Sequence, residues 1–301
     1  MSLVERALKK MQQAAKDHTQ PIAGPPKNAV YGAVVTNSSY RGAGQPAAAE
    51  SEPQIPERIV EIDLPALRAA GLLPPVHQER QLAQQYRQIK RPLIANAMGR
   101  GTAALPNGQL IMMASAMPGE GKTFTSINLA FSMALEKDIS VLLVDADVAK
   151  PHISRLFGID GEPGLLDLLQ ENAPPVESLI LPTNVPGLSV LPAGRRSSNA
   201  TELLASARMQ HVMDEIGRRK TNRITLLDSP PLLLTTESQA LAQLAGQIVV
   251  VVRAGFTSQS VIQDALSYLG EGKSIALILN QSVATAPTGY YYYGYGDAGA
   301  T

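Results

Sequence analysis

The stretch LIMMASAMPGEGKTFTSINLA, residues 110–130, holds residue types at a spacing that suits phosphate chemistry. An apolar run ends in a glycine-containing loop, and a helical pattern starts near Lys122. The pattern G-x-x-x-x-G-K-[ST] binds phosphate because its glycines let successive backbone N–H groups turn inward onto an anion. Here it reads A-M-P-G-E-G-K-T, with Ala116 in place of the first glycine and with Gly119 and Gly121 kept. A helix N-terminus behind the loop adds the positive end of its dipole. Lys122 would reach the β- and γ-phosphates of a nucleotide, and the Thr123 hydroxyl would ligate Mg2+. Pro118, Gly119, Glu120 and Gly121, with Lys122, Thr123 and Phe124, are the candidate nucleotide contacts.

Three more strand ends carry polar residues that could meet the same ligand. VLLVDADVAKPHISRLFG delivers Asp145 and Asp147, and strand alternation puts both carboxylates on one side. Paired acids suit metal binding and proton abstraction. ITLLDSPP ends on Asp228, the place of an acid that holds Mg2+ through water. Thr123, Asp145 and Asp228 are thus the candidate metal ligands, and Lys122, Asp145, Asp147 and Asp228 the candidate catalytic set. LILNQS places Asn280 after the last strand, where its amide either reads an adenine edge or caps a turn.

These residues need a frame that brings strand ends together. From about residue 108 the chain alternates apolar runs (LIMMASA, VLLVDAD, LSVLPAG, ITLLDSPP, QIVVVVRAG, SIALILNQ) with helical patterns. Continuous apolar runs are what a parallel sheet buried on both faces requires. The fold class predicted is α/β, a doubly wound and mostly parallel sheet, with its site at the carboxyl ends of the strands.

Upstream, Val4, Leu8, Met11 and Ala15 lie on one helical stripe within residues 1–17, which fits a partner-binding helix or, less well, a membrane-surface one. Residues 18–56 are rich in Pro, Gly, Ala and Ser and read as a disordered linker. Residues 57–107 form a helical lead-in, whose main helix is expected to run at least to Arg91 because Pro92 disfavours helix before it. The P-loop unit is placed at 108–286. The end, 287–301, contains Tyr290, Tyr291, Tyr292, Tyr293 and Tyr295 among glycines, in a chain with nine tyrosines and no tryptophan.

Composition narrows the classes. Net charge is zero, so no global electrostatic argument favours nucleic acid. There are no cysteines, which removes disulfides and thiolate metal sites. The apolar runs are far shorter than the ~20 residues that span a bilayer. The expectation is a soluble chain that reaches a membrane only through a partner.

Together AMPGEGKT, VDADVAKPHISRLFG, LLDSPP and the terminal tyrosine cluster resemble the bacterial tyrosine kinases of capsule and exopolysaccharide synthesis. LPAGRRSSNATELL resembles that family's LPAG…N-x-x-ELL segment, and QQYRQIKRPLI is similar to the segment before the kinase domain in its exosortase-associated, EpsG-like branch. The resemblance implies a P-loop NTPase of the partition-ATPase (SIMIBI) class, with ATP and Mg2+ as ligands. It also implies autophosphorylation in trans on the C-terminal tyrosines, with Asp145 helping to activate the acceptor hydroxyl.

The family's partners follow in the same way: a membrane-bound chain-length regulator whose tail activates the kinase, a homo-oligomeric ring when unphosphorylated, and a cognate tyrosine phosphatase. The implied location is cytoplasmic, peripheral to the inner membrane. Met117 stands where related positioning ATPases carry a lysine, and Lys150 where arginine is common in the family. The oligomerisation pattern E-x-x-R-x-x-R falls on Gln84, Arg87 and Lys90, so Arg87 and Lys90 are the expected ring contacts. The competing readings are a positioning-type P-loop ATPase and a nucleotide-dependent scaffold without kinase activity.

Overall fold

The computed structural model describes residues 58–100, 105–219, 222–270 and 272–282. The amphipathic segment, the linker and the whole tyrosine cluster lie outside the described residues.

The apolar runs become seven strands: β1 (Leu110–Ser115), β2 (Ser140–Asp145), β3 (Leu181–Pro182), β4 (Leu188–Leu191), β5 (Arg223–Asp228), β6 (Gln247–Arg253) and β7 (Ser274–Asn280). They stand in the order β3-β4-β2-β5-β1-β6-β7, all parallel except the β3–β4 pair. Parallel neighbours need crossovers, and the helical patterns supply them. The main ones are α3 (Lys122–Ala134), α8 (Ala207–Arg219), α9 (Thr236–Leu244) and α10 (Gln259–Ser267). Four short helices lie in the β2–β5 connection: α4 (His152–Leu156), α5 (Leu165–Leu168), α6 (Val176–Leu179) and α7 (Ala200–Leu204). Ahead of the sheet run α1 (Leu64–Ala69) and α2 (Glu79–Ala97).

Strand alternation divides the core into two layers. On one face Ile111 and Met113 pack with Ile127 and Phe131 of α3 and with Tyr86 and Leu93 of α2. On the other, Met112 and Ala114 pack with Met209, Val212, Leu241 and Ala265. Each fully buried aliphatic side chain contributes roughly 1.5–3 kcal/mol. Strand β1 lies between β5 and β6; the chain leaves it toward β2 on one side, while β6 on the other side is reached from β5, and such a reversal opens a crevice at the carboxyl ends.

Helix α2 reaches Arg91 as expected and continues through Pro92 to Ala97. Proline inside a helix costs about 3 kcal/mol, since it lacks the N–H for a bond four residues back. Leu93, next in the chain, is buried, and its carbonyl accepts from Gln247 Nε2 at 3.1 Å, which ties this turn to β6. Asn96 donates in turn to Gln247 Oε1 at 3.1 Å.

The stretch ahead of α1 begins as extended chain. The N–H of Val60 donates to the Pro182 carbonyl at 2.8 Å, and Val60 forms a parallel bridge with Thr183. One expectation needs correcting: β7 is not buried on both faces. It is the edge strand, and Ile275, Leu277 and Leu279 remain 37%, 55% and 63% exposed. Among the described residues no helix is long and apolar enough to cross a membrane.

Candidate active site

The loop after β1 is shaped by two left-handed glycines, Gly119 (φ 79°) and Gly121 (φ 91°). Gly121 is required twice over. Its φ is strained for any side chain, and a Cβ there would stand 2.0 Å from Nδ2 of Asn280. Glu120 does not present its carboxylate to a ligand. It is 1% exposed, accepts from the Met117 N–H at 2.7 Å and accepts from the Thr257 hydroxyl. Asn280 Nδ2 donates to the Glu120 carbonyl at 2.8 Å. The loop is thereby strapped to the ends of both β6 and β7. Of the two roles open to Asn280, the described contact is the backbone one.

Lys122 and Thr123 start α3 and face Asp228 across the sheet. Asp228 accepts from Thr123 Oγ1 at 2.8 Å and from Lys122 Nζ at 3.4 Å. It also accepts from Ser126 Oγ at 2.8 Å. Ser126 lies one turn beyond Lys122, so the (i, i+4) spacing on α3 could have pointed to it.

Asp145 pairs with Asp228 across the β2–β5 ladder, which sets the two carboxylates level at the carboxyl ends. It is fully buried. Its Oδ2 accepts from the N–H and the hydroxyl of Ser154, each at 2.8 Å, while Oδ1 has no partner. Burial pushes its carboxyl up to about 7, the nearby charges of Asp228 and Asp147 add to the rise, and the Ser154 bonds oppose it. Asp147 accepts from the Lys150 N–H at 3.1 Å. Burial raises its pKa too, against the pull of Lys122.

Lys122, Thr123, Asp145, Asp147 and Asp228 therefore come together as the spacing predicts. Phe124 and Gly121 line a groove of about 1450 Å3 between α2 and β7, closed at one end by Asn280. Among the described residues no cluster of three or more acidic or histidine side chains forms a cage. The Thr123 hydroxyl beside the Asp228 carboxylate is a donor pair that would fit Mg2+, which is held by one or two carboxylates together with substrate phosphates and water.

The ring residues separate. Arg87 is exposed on α2, but Lys90 is turned inward at 4% exposure. Its Nζ donates to the Ser132 carbonyl at 2.5 Å and pairs with Glu136 at 2.7 Å. Lys90 therefore fastens α2 to the end of α3, and its expected place on an outer face is corrected. Spacing alone missed Ser154 and Thr257, because each reaches the site from a loop or short helix with no motif of its own.

The AAA domain model matches residues 108–282, more than half of the chain. Tyrosine-protein kinase YwqD of Bacillus subtilis is 30% identical over 71% of this chain and 87% of its own length. Tyrosine-protein kinase CpsD of Streptococcus agalactiae is 31% identical over 64% and 80%. This chain belongs to the bacterial tyrosine-protein kinase family.

Solved structures of the family agree in fold. The VpsO kinase domain superimposes with a TM-score of 0.57 at 29% identity, covering 69% of this chain and 100% of that one. The kinase domain of the Escherichia coli tyrosine kinase ETK gives 0.53 at 28%, over 62% and 72%. The chain spans only 21% of the length of two Ralstonia relatives and of tyrosine-protein kinase ptk from Acinetobacter johnsonii. The loop from Ala116 to Thr123 lies within the matched domain and carries the sequence pattern of a phosphate-binding loop.

Proposed function

We propose that this kinase-family chain is an ATP-dependent protein-tyrosine autokinase that phosphorylates Tyr290–Tyr293 and Tyr295. The carrying observation is the pairing of Asp228, which gathers Thr123 and Lys122, with Asp145, whose Oδ1 is buried and unengaged beside it.

Tyrosine is a weak nucleophile at neutral pH, with a reference pKa of about 10. The chain's own residues answer this by position and charge. The loop N–H groups and Lys122 hold the β- and γ-phosphates. Thr123 and Asp228 would hold Mg2+, with Asp145 as a further ligand or base, and the ion when bound would supply charge neutralisation on the phosphates. A tyrosine hydroxyl placed against Asp145 gives up its proton as its oxygen bonds to the γ-phosphorus and the bond to ADP breaks. Asp147 and Lys122 keep the local charge balanced.

The tail is rooted beside its own P-loop, since Asn280 bonds to Glu120 only two residues before the last described position. Reach alone therefore does not choose between a chain's own site and a neighbour's. Transfer in trans is proposed from the family resemblance. Each phosphotyrosine adds about −1.5 to −2 charges, so five add roughly −8 to −10 to a neutral chain. That repulsion would loosen an assembly whose subunits hold one another's tails. The proposed setting is the cytoplasmic side of the inner membrane. The proposed partners are a chain-length regulator that activates the kinase and a phosphatase that resets it.

Mass spectrometry of the C-terminal peptide after incubation with Mg-ATP tests the activity. Phosphate on the tail is expected in the wild type and none in Lys122→Met. Phosphotyrosine persisting on purified Lys122→Met protein would refute the reading. Mixing Lys122→Met with an active chain whose five tail tyrosines are Phe tests the direction, since label on the inactive chain requires transfer in trans.

A further inference from the structure

We propose that Ser154 is a positioning residue: it locks the Asp145 carboxylate through Oδ2 and so reserves Oδ1 for the incoming hydroxyl. The inference rests on the kinase reading above for the identity of that hydroxyl.

Ser154 sits on the short helix α4 and is 2% exposed. Its backbone N–H and its hydroxyl both donate to Oδ2 of Asp145, each at 2.8 Å. The Ser154 hydroxyl oxygen in turn accepts from the Ala193 N–H at 3.1 Å. With that bond made, the hydroxyl proton is directed onto Asp145. Ala193 belongs to the LPAG segment after β4, so three elements converge on one carboxylate oxygen.

A carboxylate held twice through one oxygen cannot rotate freely about its Cβ–Cγ bond. The other oxygen is then fixed in direction too. Oδ1 is buried without a hydrogen-bond partner among the described residues, which costs free energy in the resting protein. Asp145 is also in register with Asp228, to which Thr123 and Lys122 bond. The geometry thus leaves one oxygen for a donor that arrives with the substrates. In the transfer step the phenol O–H proton passes to Oδ1 and the phenol oxygen bonds to the γ-phosphorus. The bond from that phosphorus to the bridging oxygen of ADP breaks, and the proton is released to water after turnover.

The experiment is a double-mutant cycle on the full chain, reading phosphotyrosine, ADP formation and ATP affinity together. Ser154→Ala should cut kcat about tenfold while KM for ATP stays within about twofold. Calorimetric affinity for Mg-ATP should likewise stay within about twofold. Ser154→Thr, which keeps the hydroxyl, should recover activity to within about threefold of wild type. In an Asp145→Asn background, Ser154→Ala should change kcat less than about twofold, because the group it positions is already gone.

A purely structural serine would lower melting temperature and activity by the same factor in both backgrounds, and that additivity overturns the proposal. So does a fall in ATP affinity that matches the fall in kcat. If Ser154→Ala does not fold, Ser154→Cys, a weaker donor of similar size, is read in the same cycle. A wild-type chain that forms ADP but no phosphotyrosine would sink the kinase reading. The cycle read on ADP would still decide the role of Ser154.

Discussion

Strands β6 and β7 lie side by side in parallel register, from Gln247 opposite Ser274 to Arg253 opposite Asn280. Both carry aliphatic runs, IVVVV in one and IALIL in the other. In β6, Ile248 through Val251 are wholly buried, between α9 and α10 on one face and the α2–α3 layer on the other. In β7 the residues opposite them stay open: Ile275, Leu277 and Leu279 share the face on which Ile248, Val250 and Val252 are covered. Apolar sequence makes a strand, but a neighbour on each side and a helix over each face make it core. Helix α10 covers β6 and stops short of β7.

The hardest test of this contrast is a charge in each strand. Val250→Asp buries an unpaired carboxylate and should abolish the cooperative thermal transition, because such a penalty approaches the whole stability of about 5–15 kcal/mol. Leu277→Asp, on the same face one strand over, should change stability by less than about 1 kcal/mol. Circular dichroism melts of both variants check this. A Leu277→Asp chain that fails to fold would mean that β7 is covered in the working protein.

A smaller effect moves the contrast to a carboxylate already inside. Asp145 titrates near 7 when folded against about 3.8 when unfolded, so the folded chain holds the extra proton between those values. Stability from this group is full below the unfolded value and is lost as pH rises through about 7. Asp145→Asn removes that loss. It should be more stable than wild type at about pH 8, by on the order of 2–4 kcal/mol, with the gain shrinking toward about pH 4. Chemical denaturation across that range decides it, and a gain that grows on acidification would reverse the assignment. The mildest pair truncates rather than charges. Val250→Ala should cost about 1–3 kcal/mol and Leu279→Ala under about 0.5 kcal/mol, measured as shifts in urea midpoint.

The convergence of the candidate site residues was legible because its signals are local. Lys122 and Thr123 follow a glycine loop, and Asp145 and Asp228 each end an apolar run, so strand length alone brings them to one edge. The sheet was legible for the same reason. The edge position of β7 was not, since its residues read like those of β6 and only the strand order sets them apart. How far α2 runs beyond Arg91 was not legible, because nothing local at Pro92 says whether the helix goes on. Lys90 misled because family spacing fixes a position on a helix but not which neighbour the side chain meets; here it is Ser132 and Glu136 of the same chain. Ser154 and Thr257 carry no pattern at all, and their roles exist only once α4 and the β6–α10 loop have closed on the site.

Asn280 has one more consequence, a mechanical one. Tension applied at the carboxyl terminus enters the fold at the outermost strand and meets the bond from Asn280 to the Glu120 carbonyl at its root. A partner that pulled on the end of the chain would therefore load the glycine loop before it loaded the core. The path from that pull to the loop is a single amide long.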